Sequence, residues 1–265
     1  MRYEHILFEK REKSTWITIN HPERYNSFDG DTVAELTDAV LKAGKDKENV
    51  AIVITGAGDD SFSAGGYLKD LTNFDKEMGR HLFGGAGKCF DAIRQAPMPV
   101  IAAVNGWAMG GGNELVVAAD FAIASDRARF GQTGPRIGSS PIYGGTNMLA
   151  MNIGEKRAKE VCMMCRPYPA QEALAMGWIN KVVPHEELHA EVDRWIEELS
   201  YRSPSYLEIT KVSANMWWDM MKPCIQHGEQ MLLLLAGSEE MTEGATAFME
   251  KRKPDFMRFR KNNPK

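Results

Sequence analysis

The chain lacks several features that mark familiar classes of protein. Its 265 residues include only 4 cysteines, too few in a chain of this length to suggest a disulfide framework. Basic and acidic residues nearly balance, leaving a formal net charge of -4. Because proteins that bind nucleic acids present a basic face to the phosphates, this charge argues against DNA or RNA as the main partner.

Long apolar segments are also missing. The longest apolar run, MLLLLA at 231–236, is far shorter than the roughly 20 residues that span a membrane. The first ten residues, MRYEHILFEK, have no apolar core of the kind found in signal peptides. We therefore expect a cytoplasmic protein that has no membrane partner.

The sequence shows no complete metal site and no familiar nucleophile motif. Cys162 and Cys165 form a CxxC within the helix-like run EVCMMC, but no second pair or nearby histidine completes a zinc set. We expect these thiols to pack in the interior, and we expect no metal. A GxSxG motif is absent.

Apolar patterns predict a mainly parallel sheet. Segment 15–20 alternates like a strand and ends at His21 and Pro22. The runs 50–55, 99–104 and 121–125 are continuously apolar, as in strands buried on both faces. Helical patterns separate them, which indicates βαβ units and an α/β fold.

Two stretches show the spacing of amphipathic helices. The first is capped by Asp29 or Asp31, and its apolar positions are Val33, Leu36, Val40 and Leu41. The second begins near residue 188, and from about residue 185 the pattern is helical without strands. We predict an α/β core over residues 1–184 and a helical C-terminal region over residues 185–265.

Two glycine-rich segments carry the strongest chemical signal. SFSAGGY at 61–67 and NGWAMGGGNE at 105–114 each follow a predicted strand and precede a helical pattern. Glycine lets the backbone approach a ligand closely, and amides at a helix start are unpaired. Two such amides directed at one point form an oxyanion hole. Neither segment has the GxGxxG spacing of a dinucleotide loop.

These segments resemble the crotonase (enoyl-CoA hydratase/isomerase) superfamily. The resemblance extends through HPERYNS at 21–27, FSAGG at 62–66, 104–114, Asp120, FGQ at 130–132, ALAMG at 173–177 and NKVVP at 180–184. It implies a spiral ββα fold, a homotrimer or homohexamer, and an acyl-CoA thioester as substrate. No separate cofactor is implied, because CoA is part of the substrate. The C-terminal helices would then serve trimerisation and cover the active site.

The resemblance also implies roles for individual residues. The amides of Gly66 and Gly111 would hold the oxygen of a thioester enolate. Backbone groups at Ser63, Ala64 and Gly65 would meet the adenine end of CoA. In the basic tail, Lys253 would approach the CoA phosphates, in its own subunit or from a neighbour.

One of the two carboxylates of ordinary hydratases is missing. Hydratases that use a pair keep one at the position of Glu114 and the other at the position of Gly134, so this chain has only the first. A carboxylate beside a glycine-rich turn is partly desolvated, which raises its pKa towards a range useful for proton transfer.

Segments 130–139 (FGQTGPRIGS) and 251–256 (KRKPDF) resemble a particular branch of the superfamily. It contains 1,4-dihydroxy-2-naphthoyl-CoA synthases and the hydrolases that open the rings of 2-ketocyclohexane- and 6-oxocyclohexene-carboxyl-CoA. The synthases have an aspartate soon after the Gly-Ser pair, where this chain has SPIY at 140–143, and they usually lack a glutamate at position 114. The hydrolases share YNS at 25–27, the glutamate after the triple glycine, and GSSP at 138–141.

The favoured hypothesis is therefore an enzyme that adds water to a cyclic or bulky acyl-CoA, by ring-opening hydrolysis or by hydration. The space left by Gly134 would admit a ring. Further substrate contacts are expected at Tyr25, Gln132, Tyr143 and Asn147, and His81 lies in the region that shapes the acyl pocket in relatives. Two alternatives stay open. One is a naphthoyl-type synthase with bicarbonate in the slot at Gly134, and the other is a catalytically silent acyl-CoA-binding protein.

Overall fold

The computed structural model of the protein describes residues 3–72 and 74–262. Within these residues there are ten strands and twelve α-helices. The strands are β1 (Ile6–Lys10), β2 (Ser14–Ile19), β3 (Ala51–Gly56), β4 (Ser61–Ser63), β5 (Val100–Val104), β6 (Trp107–Met109), β7 (Phe121–Ser125), β8 (Arg129–Gly131), β9 (Tyr168–Pro169) and β10 (Lys181–Val183). The helices are α1 (Gly30–Gly44), α2 (Leu68–Leu71), α3 (Lys76–Gln95), α4 (Gly111–Ala118), α5 (Met148–Ile153), α6 (Glu155–Met164), α7 (Ala170–Met176), α8 (Leu188–Ser200), α9 (Pro204–Ala214), α10 (Met216–Leu234), α11 (Glu239–Met249) and α12 (Met257–Asn262).

A six-stranded sheet forms the centre of the molecule, in the order β1-β2-β3-β5-β7-β10. Only β1 is antiparallel to its neighbour, and the other pairs are parallel. Side chains alternate along β3, so that Ile52 and Ile54 lie in the main core and Ala51 and Val53 in a second core under α8. This burial on both faces explains the continuous apolar runs.

A smaller sheet of order β4-β6-β8-β9 positions the glycine-rich turns. Strands β4 and β6 are parallel, with Ser61 opposite Trp107 and Ser63 opposite Ala108. The carboxyl ends of parallel neighbours meet at one edge of a sheet. The turn after β4 and the turn after β6 therefore emerge side by side.

The four predicted strands are confirmed as β2, β3, β5 and β7, with each end within one residue of its prediction. Helix α1 is capped by Asp29 and not by Asp31, since the Asp29 carboxylate accepts the Thr32 N–H at 2.9 Å. Of the four apolar positions named for this helix, Val33, Leu36 and Val40 are buried, whereas the side chain of Leu41 is 51% exposed. One residue beyond the buried Val40, it is rotated by about 100° away from the sheet.

Helices follow the last strand. Among the described residues after Val183, the regular elements are helical, and α8 packs Leu188, Val192 and Ile196 into the second core. The division into a core of residues 1–184 and a C-terminal region of residues 185–265 stays a prediction, and residues 263–265 lie outside the described part. Of the helices the structure describes, none combines the length and apolar character needed to cross a bilayer.

Candidate active site

The two glycine-rich turns lie against each other, and Phe28 pairs with the first of them. The Phe28 N–H donates to the Gly65 carbonyl at 2.9 Å, and the Phe28 carbonyl accepts the Tyr67 N–H at 3.0 Å. The Gly66 N–H between them is left without a backbone acceptor among the described residues. Gly65 has a φ of 87°, and a β-carbon there would stand 2.8 Å from the Gly111 nitrogen. The second turn therefore lies directly against the first.

Gly111 is the first residue of α4, so its N–H has no partner within the helix. Gly66 and Gly111 both line the same large cavity. Two free amides in one cavity wall, one of them at a helix start, form the kind of site that stabilises developing negative charge on an oxygen.

Two buried asparagines hold β4 in place behind these turns. The Asn26 side chain donates to the carbonyls of Ala57 at 2.9 Å and Ser61 at 2.7 Å. The Asn105 side chain donates to the Ser61 carbonyl at 3.1 Å and to the Gly58 carbonyl at 2.7 Å. Sequence reasoning assigned neither residue a role, although both stand within the motifs that carried the resemblance.

The cavity, here called the main cavity, measures about 850 Å³. Its inner wall is mostly apolar and includes Phe28, Leu82, Phe83, Ala86, Phe90 and Met109. Four basic side chains also line it: Arg24, Lys69, Arg136 and Lys251. An apolar interior with several cations suits a ligand that has an apolar group at one end and anionic groups at the other.

Glu114 lies on α4 in the wall of the main cavity and is 5% exposed. Its Oε1 accepts the N–H of Tyr143 at 2.7 Å and the N–H of Gly145 at 3.4 Å. Burial raises the pKa of this carboxyl to about 8, and the two amides offset part of that effect. Glu114 can therefore exchange a proton close to neutral pH.

The expectation that Gly134 leaves room for a ring is wrong. Gly134 lines the main cavity at the start of a 3-10 turn, but the space in front of its Cα is filled by the chain itself. A β-carbon there would lie 2.8 Å from Ser140 Cα, 2.9 Å from Pro141 Cδ and 2.9 Å from the Ser139 carbonyl oxygen. The 139–141 segment thus occupies the slot expected for a substrate ring or for bicarbonate.

Gln132 and Tyr143 line the main cavity, and their expected contact with substrate stays a prediction. The Gln132 side chain is fully buried, and within the described structure neither of its amide atoms has a hydrogen-bond partner. The Tyr143 hydroxyl donates to the Phe83 carbonyl, and its ring stacks on Phe90 with centroids 5.4 Å apart.

Around the first turn, the predicted contacts divide into two groups. Tyr25 and Ala64 line the main cavity, and Tyr25 is 58% exposed. Ser63 and Gly65 lie behind the wall. The Ser63 hydroxyl donates to the Asn26 carbonyl at 2.8 Å and accepts the Gly65 N–H at 3.1 Å, so it braces the turn.

Two further predicted contacts, Asn147 and Lys253, lie outside the cavity wall of this chain, and so does His81. Asn147 caps α5, where its side chain accepts the Met148 N–H at 2.9 Å. His81 is on the outer face of α3 and pairs with Asp31 at 3.1 Å. Lys253 is exposed, and it is Lys251 of the same basic run that reaches the cavity. Whether Lys253 meets CoA bound in a neighbouring subunit stays a prediction.

The buried thiols pack as expected, with one addition. Cys89, Cys162 and Cys165 are buried and Cys224 is exposed. Cys165 lines the main cavity, a position that the sequence pattern did not indicate. Across the described ranges, no group of three or more His, Cys, Asp or Glu side chains is arranged to hold a metal ion.

Comparison with known proteins agrees with this geometry. A family model described as enoyl-CoA hydratase/isomerase matches residues 9–259. An enoyl-CoA hydratase from Mycobacterium avium subsp. paratuberculosis K-10 is 30% identical, with 96% of this chain and 99% of that chain covered and a TM-score of 0.86. A carnitinyl-CoA hydratase from Mycobacterium avium is 31% identical, with 97% and 99% covered and a TM-score of 0.84. An enoyl-CoA hydratase from Bacillus anthracis is 29% identical, with 95% and 98% covered and a TM-score of 0.78.

Proposed function

Because this chain belongs to the enoyl-CoA hydratase/isomerase family, we propose that it adds water to a cyclic or bulky acyl-CoA and uses Glu114 to move the proton. Acyl-CoA processing follows from the family. The observation that carries the finer proposal is the lone carboxylate: among the described residues that line the main cavity, Glu114 is the only acidic one.

The proposed reaction opens a ring next to the thioester. Glu114 in its ionised form takes a proton from water, and the hydroxide adds to a ring ketone beta to the thioester. The carbon–carbon bond then breaks, the ring carbonyl becomes a carboxyl group, and the electron pair passes into the thioester enolate. The amides of Gly66 and Gly111 hold the enolate oxygen. Glu114 returns its proton to the alpha carbon, so that one water is consumed and one carboxyl group serves both transfers.

The lining of the main cavity supports the proposal that the acyl group is bulky. Leu82, Phe83, Ala86 and Phe90 present apolar side chains to it along one side of α3, and Tyr143 closes the same end. Because the slot at Gly134 is filled, a ring would have to lie against these side chains. A buried carboxyl with a raised pKa destabilises the fold, so its presence argues for a retained chemical role and against a silent binding protein.

Hydration of a carbon–carbon double bond is the second candidate. The similar structures described as enoyl-CoA and carnitinyl-CoA hydratases favour water as the co-substrate. A naphthoyl-type synthase is less well supported, since Ser140 and Pro141 fill the slot in which bicarbonate was expected.

The test is a panel of cyclic beta-oxoacyl-CoAs and of cyclic and open-chain enoyl-CoAs, incubated in ¹⁸O-labelled water and followed by mass spectrometry. Ring opening adds one water and puts the label in a new carboxyl group, whereas hydration adds the same mass without a new acid. We expect Glu114→Gln to lower turnover by about 10²- to 10⁴-fold. Glu186→Gln, an exposed carboxylate outside the cavity, is the matched control and should behave like the wild type. Unchanged turnover in Glu114→Gln would contradict the assignment.

We also propose a homotrimer or homohexamer located in the cytoplasm. Helices α9 and α10 expose large apolar side chains, among them Ile209, Val212, Trp217 and Met220, which supports burial against another copy. Sedimentation of the purified protein tests the assembly, and a monomer at micromolar concentration would contradict it.

A further inference from the structure

A second pocket of about 140 Å³ lies directly behind the main cavity. Phe90 and Tyr143 line both spaces. Their rings are stacked at 30°, Tyr143 is only 5% exposed, and its hydroxyl is fixed by the Phe83 carbonyl. These two rings, here called the partition, therefore separate the main cavity from the second pocket.

Glycines on α3 keep the second pocket open. Gly84 and Gly87 line it, although glycine inside a helix lowers helix stability. A β-carbon at Gly84 would lie 3.7 Å from a Glu229 oxygen, and one at Gly87 would lie 3.5 Å from the Tyr143 ring. These are ordinary contact distances, so alanine would fit. What the glycines provide is empty volume behind the partition.

The second pocket is large enough to receive part of an acyl group. An apolar cavity of about 150 Å³ can bind benzene, so about 140 Å³ corresponds to roughly one six-membered ring. Trp218 and Ile225 line the second pocket together with the partition, and the other lining side chains are mostly charged, including the Lys222–Asp91 pair at 2.6 Å. An apolar tail would therefore gain contacts over a short distance only.

We propose that Tyr143, stacked on Phe90, sets the length of the acyl group that the main cavity accepts, and that the second pocket extends the acyl site when this ring is removed. The proposal rests on the acyl-CoA activity proposed above. Tyr143 meets Glu114 through its backbone N–H and not through its ring. Replacing the side chain therefore leaves the hydrogen bond to Glu114 available, and acyl length can change separately from proton transfer.

The experiment measures binding, so that it does not depend on catalysis. Saturated straight-chain acyl-CoAs from acetyl to dodecanoyl are titrated into the full-length protein by calorimetry. For the wild type we expect Kd to fall with chain length, reach a minimum and then rise. For Tyr143→Ala we expect Kd to continue falling by about fourfold per methylene over a few further methylenes. Tyr143→Phe keeps the ring and should keep the wild-type minimum.

A double variant shows whether a longer preferred acyl chain in Tyr143→Ala results from entry into the second pocket or from a general loosening of the acyl site. Adding Gly84→Met to Tyr143→Ala puts a flexible apolar chain into the second pocket and should return the minimum to the wild-type length. Where Tyr143→Ala fails to fold, Phe90→Leu opens the other half of the partition and should shift the minimum in the same direction. An unshifted minimum in the folded partition variants, or a shift that survives Gly84→Met, overturns the proposal.

The two proposals fail in different ways. If the wild type binds none of the acyl-CoAs, the proposed acyl-CoA activity is contradicted, and the proposed role of the partition is contradicted as well. If they bind and Tyr143→Ala leaves the preferred length unchanged, only the partition is wrong. The effect of Glu114→Gln on turnover then still tests the proposed chemistry.

Discussion

The backbone N–H of Tyr143 donates a 2.7 Å hydrogen bond to Oε1 of Glu114, 29 residues earlier in the chain. This bond connects the segment that closes the main cavity with α4, the helix that begins at Gly111. It also favours the ionised form of a carboxyl whose pKa burial raises to about 8. The proton affinity of Glu114 therefore depends on the position of the 141–145 segment.

The first prediction concerns the pH dependence of turnover. If Glu114 must be ionised to take a proton from water, kcat/KM rises with pH and levels off above about pH 8, the pKa of this carboxyl. Rates measured at saturating and limiting substrate between about pH 5 and pH 10 check this. A profile that falls through the same range would assign Glu114 as an acid in the free enzyme and contradict the proposed first step.

The second prediction concerns stability. The pKa of Glu114 is about 8 in the folded chain against 4.5 ordinarily, so between these values the folded state holds more protons than the unfolded state. The free energy of unfolding therefore decreases as pH rises through this window. Glu114→Gln keeps an oxygen for the two amides and does not titrate. It should be more stable than the wild type by on the order of a few kcal/mol above about pH 8 and little different below about pH 4.5.

Urea unfolding at several pH values measures this difference. The control is Glu186→Gln, whose stability should follow that of the wild type because the residue is exposed. A constant difference between Glu114→Gln and the wild type across the window would mean that the carboxyl is not the source of the pH dependence.

The third prediction compares two glycine-to-alanine substitutions. It distinguishes the cost of an unfavourable backbone conformation from the cost of a steric clash between the first glycine-rich turn and the second. Gly65 and Gly154 both have a positive φ, of 87° and 84°. A β-carbon at Gly154 meets nothing within 4 Å, whereas one at Gly65 would lie 2.8 Å from the Gly111 nitrogen and the Met109 carbonyl oxygen. Gly154 has a ψ of 151°, a region that glycine alone adopts readily, so Gly154→Ala should cost on the order of 1 to 3 kcal/mol and keep activity. Gly65→Ala should cost more and abolish turnover. Equal losses of activity in the two folded variants would show that the contact with the second turn does not matter.

The fourth prediction is that restoring the missing carboxylate does not produce a two-carboxylate hydratase. In Gly134→Glu the new side chain must displace Ser140 and Pro141, which already lie within 3 Å of the position of its β-carbon. We expect a lower melting temperature and weaker turnover of open-chain enoyl-CoAs than in the wild type. Faster hydration by a folded Gly134→Glu variant would mean that the 139–141 segment moves aside at little cost.

Some of this site could be predicted from the sequence because local patterns encode it. Continuous apolar runs predicted the buried strands, and glycines after two of them predicted turns that bring Gly66 and Gly111 into one cavity wall. Glu114 follows the second turn directly, so its placement near that wall was readable as well.

The parts of the site that could not be predicted from the sequence depend on packing between segments distant in the chain. The filling of the Gly134 slot depends on how the 139–141 segment folds back, which no residue pattern specifies. Asn147 and His81 have residue types suited to a polar contact, yet one is used as a helix cap and the other faces outward. The short strands β4, β6, β8 and β9 contain two or three residues each, too few for a periodicity to be recognised.

The fifth prediction is that replacing a glycine of α3 by alanine stabilises the protein where the β-carbon has room. A β-carbon at Gly85 would meet only Val33 Cγ1, at 3.5 Å, so alanine fits without displacement. Gly85→Ala should raise the free energy of unfolding by about 0.5 to 1 kcal/mol, since alanine restricts the unfolded chain and favours the helix. Gly79→Ala is the matched comparison in the same helix. Its β-carbon would be 3.0 Å from Leu233 Cδ2 and 3.4 Å from Phe74 Cε1, so part of the gain is offset by crowding. Urea denaturation of both variants measures the difference, and a larger gain for Gly79→Ala than for Gly85→Ala would contradict the packing of α3 against α1 and α10.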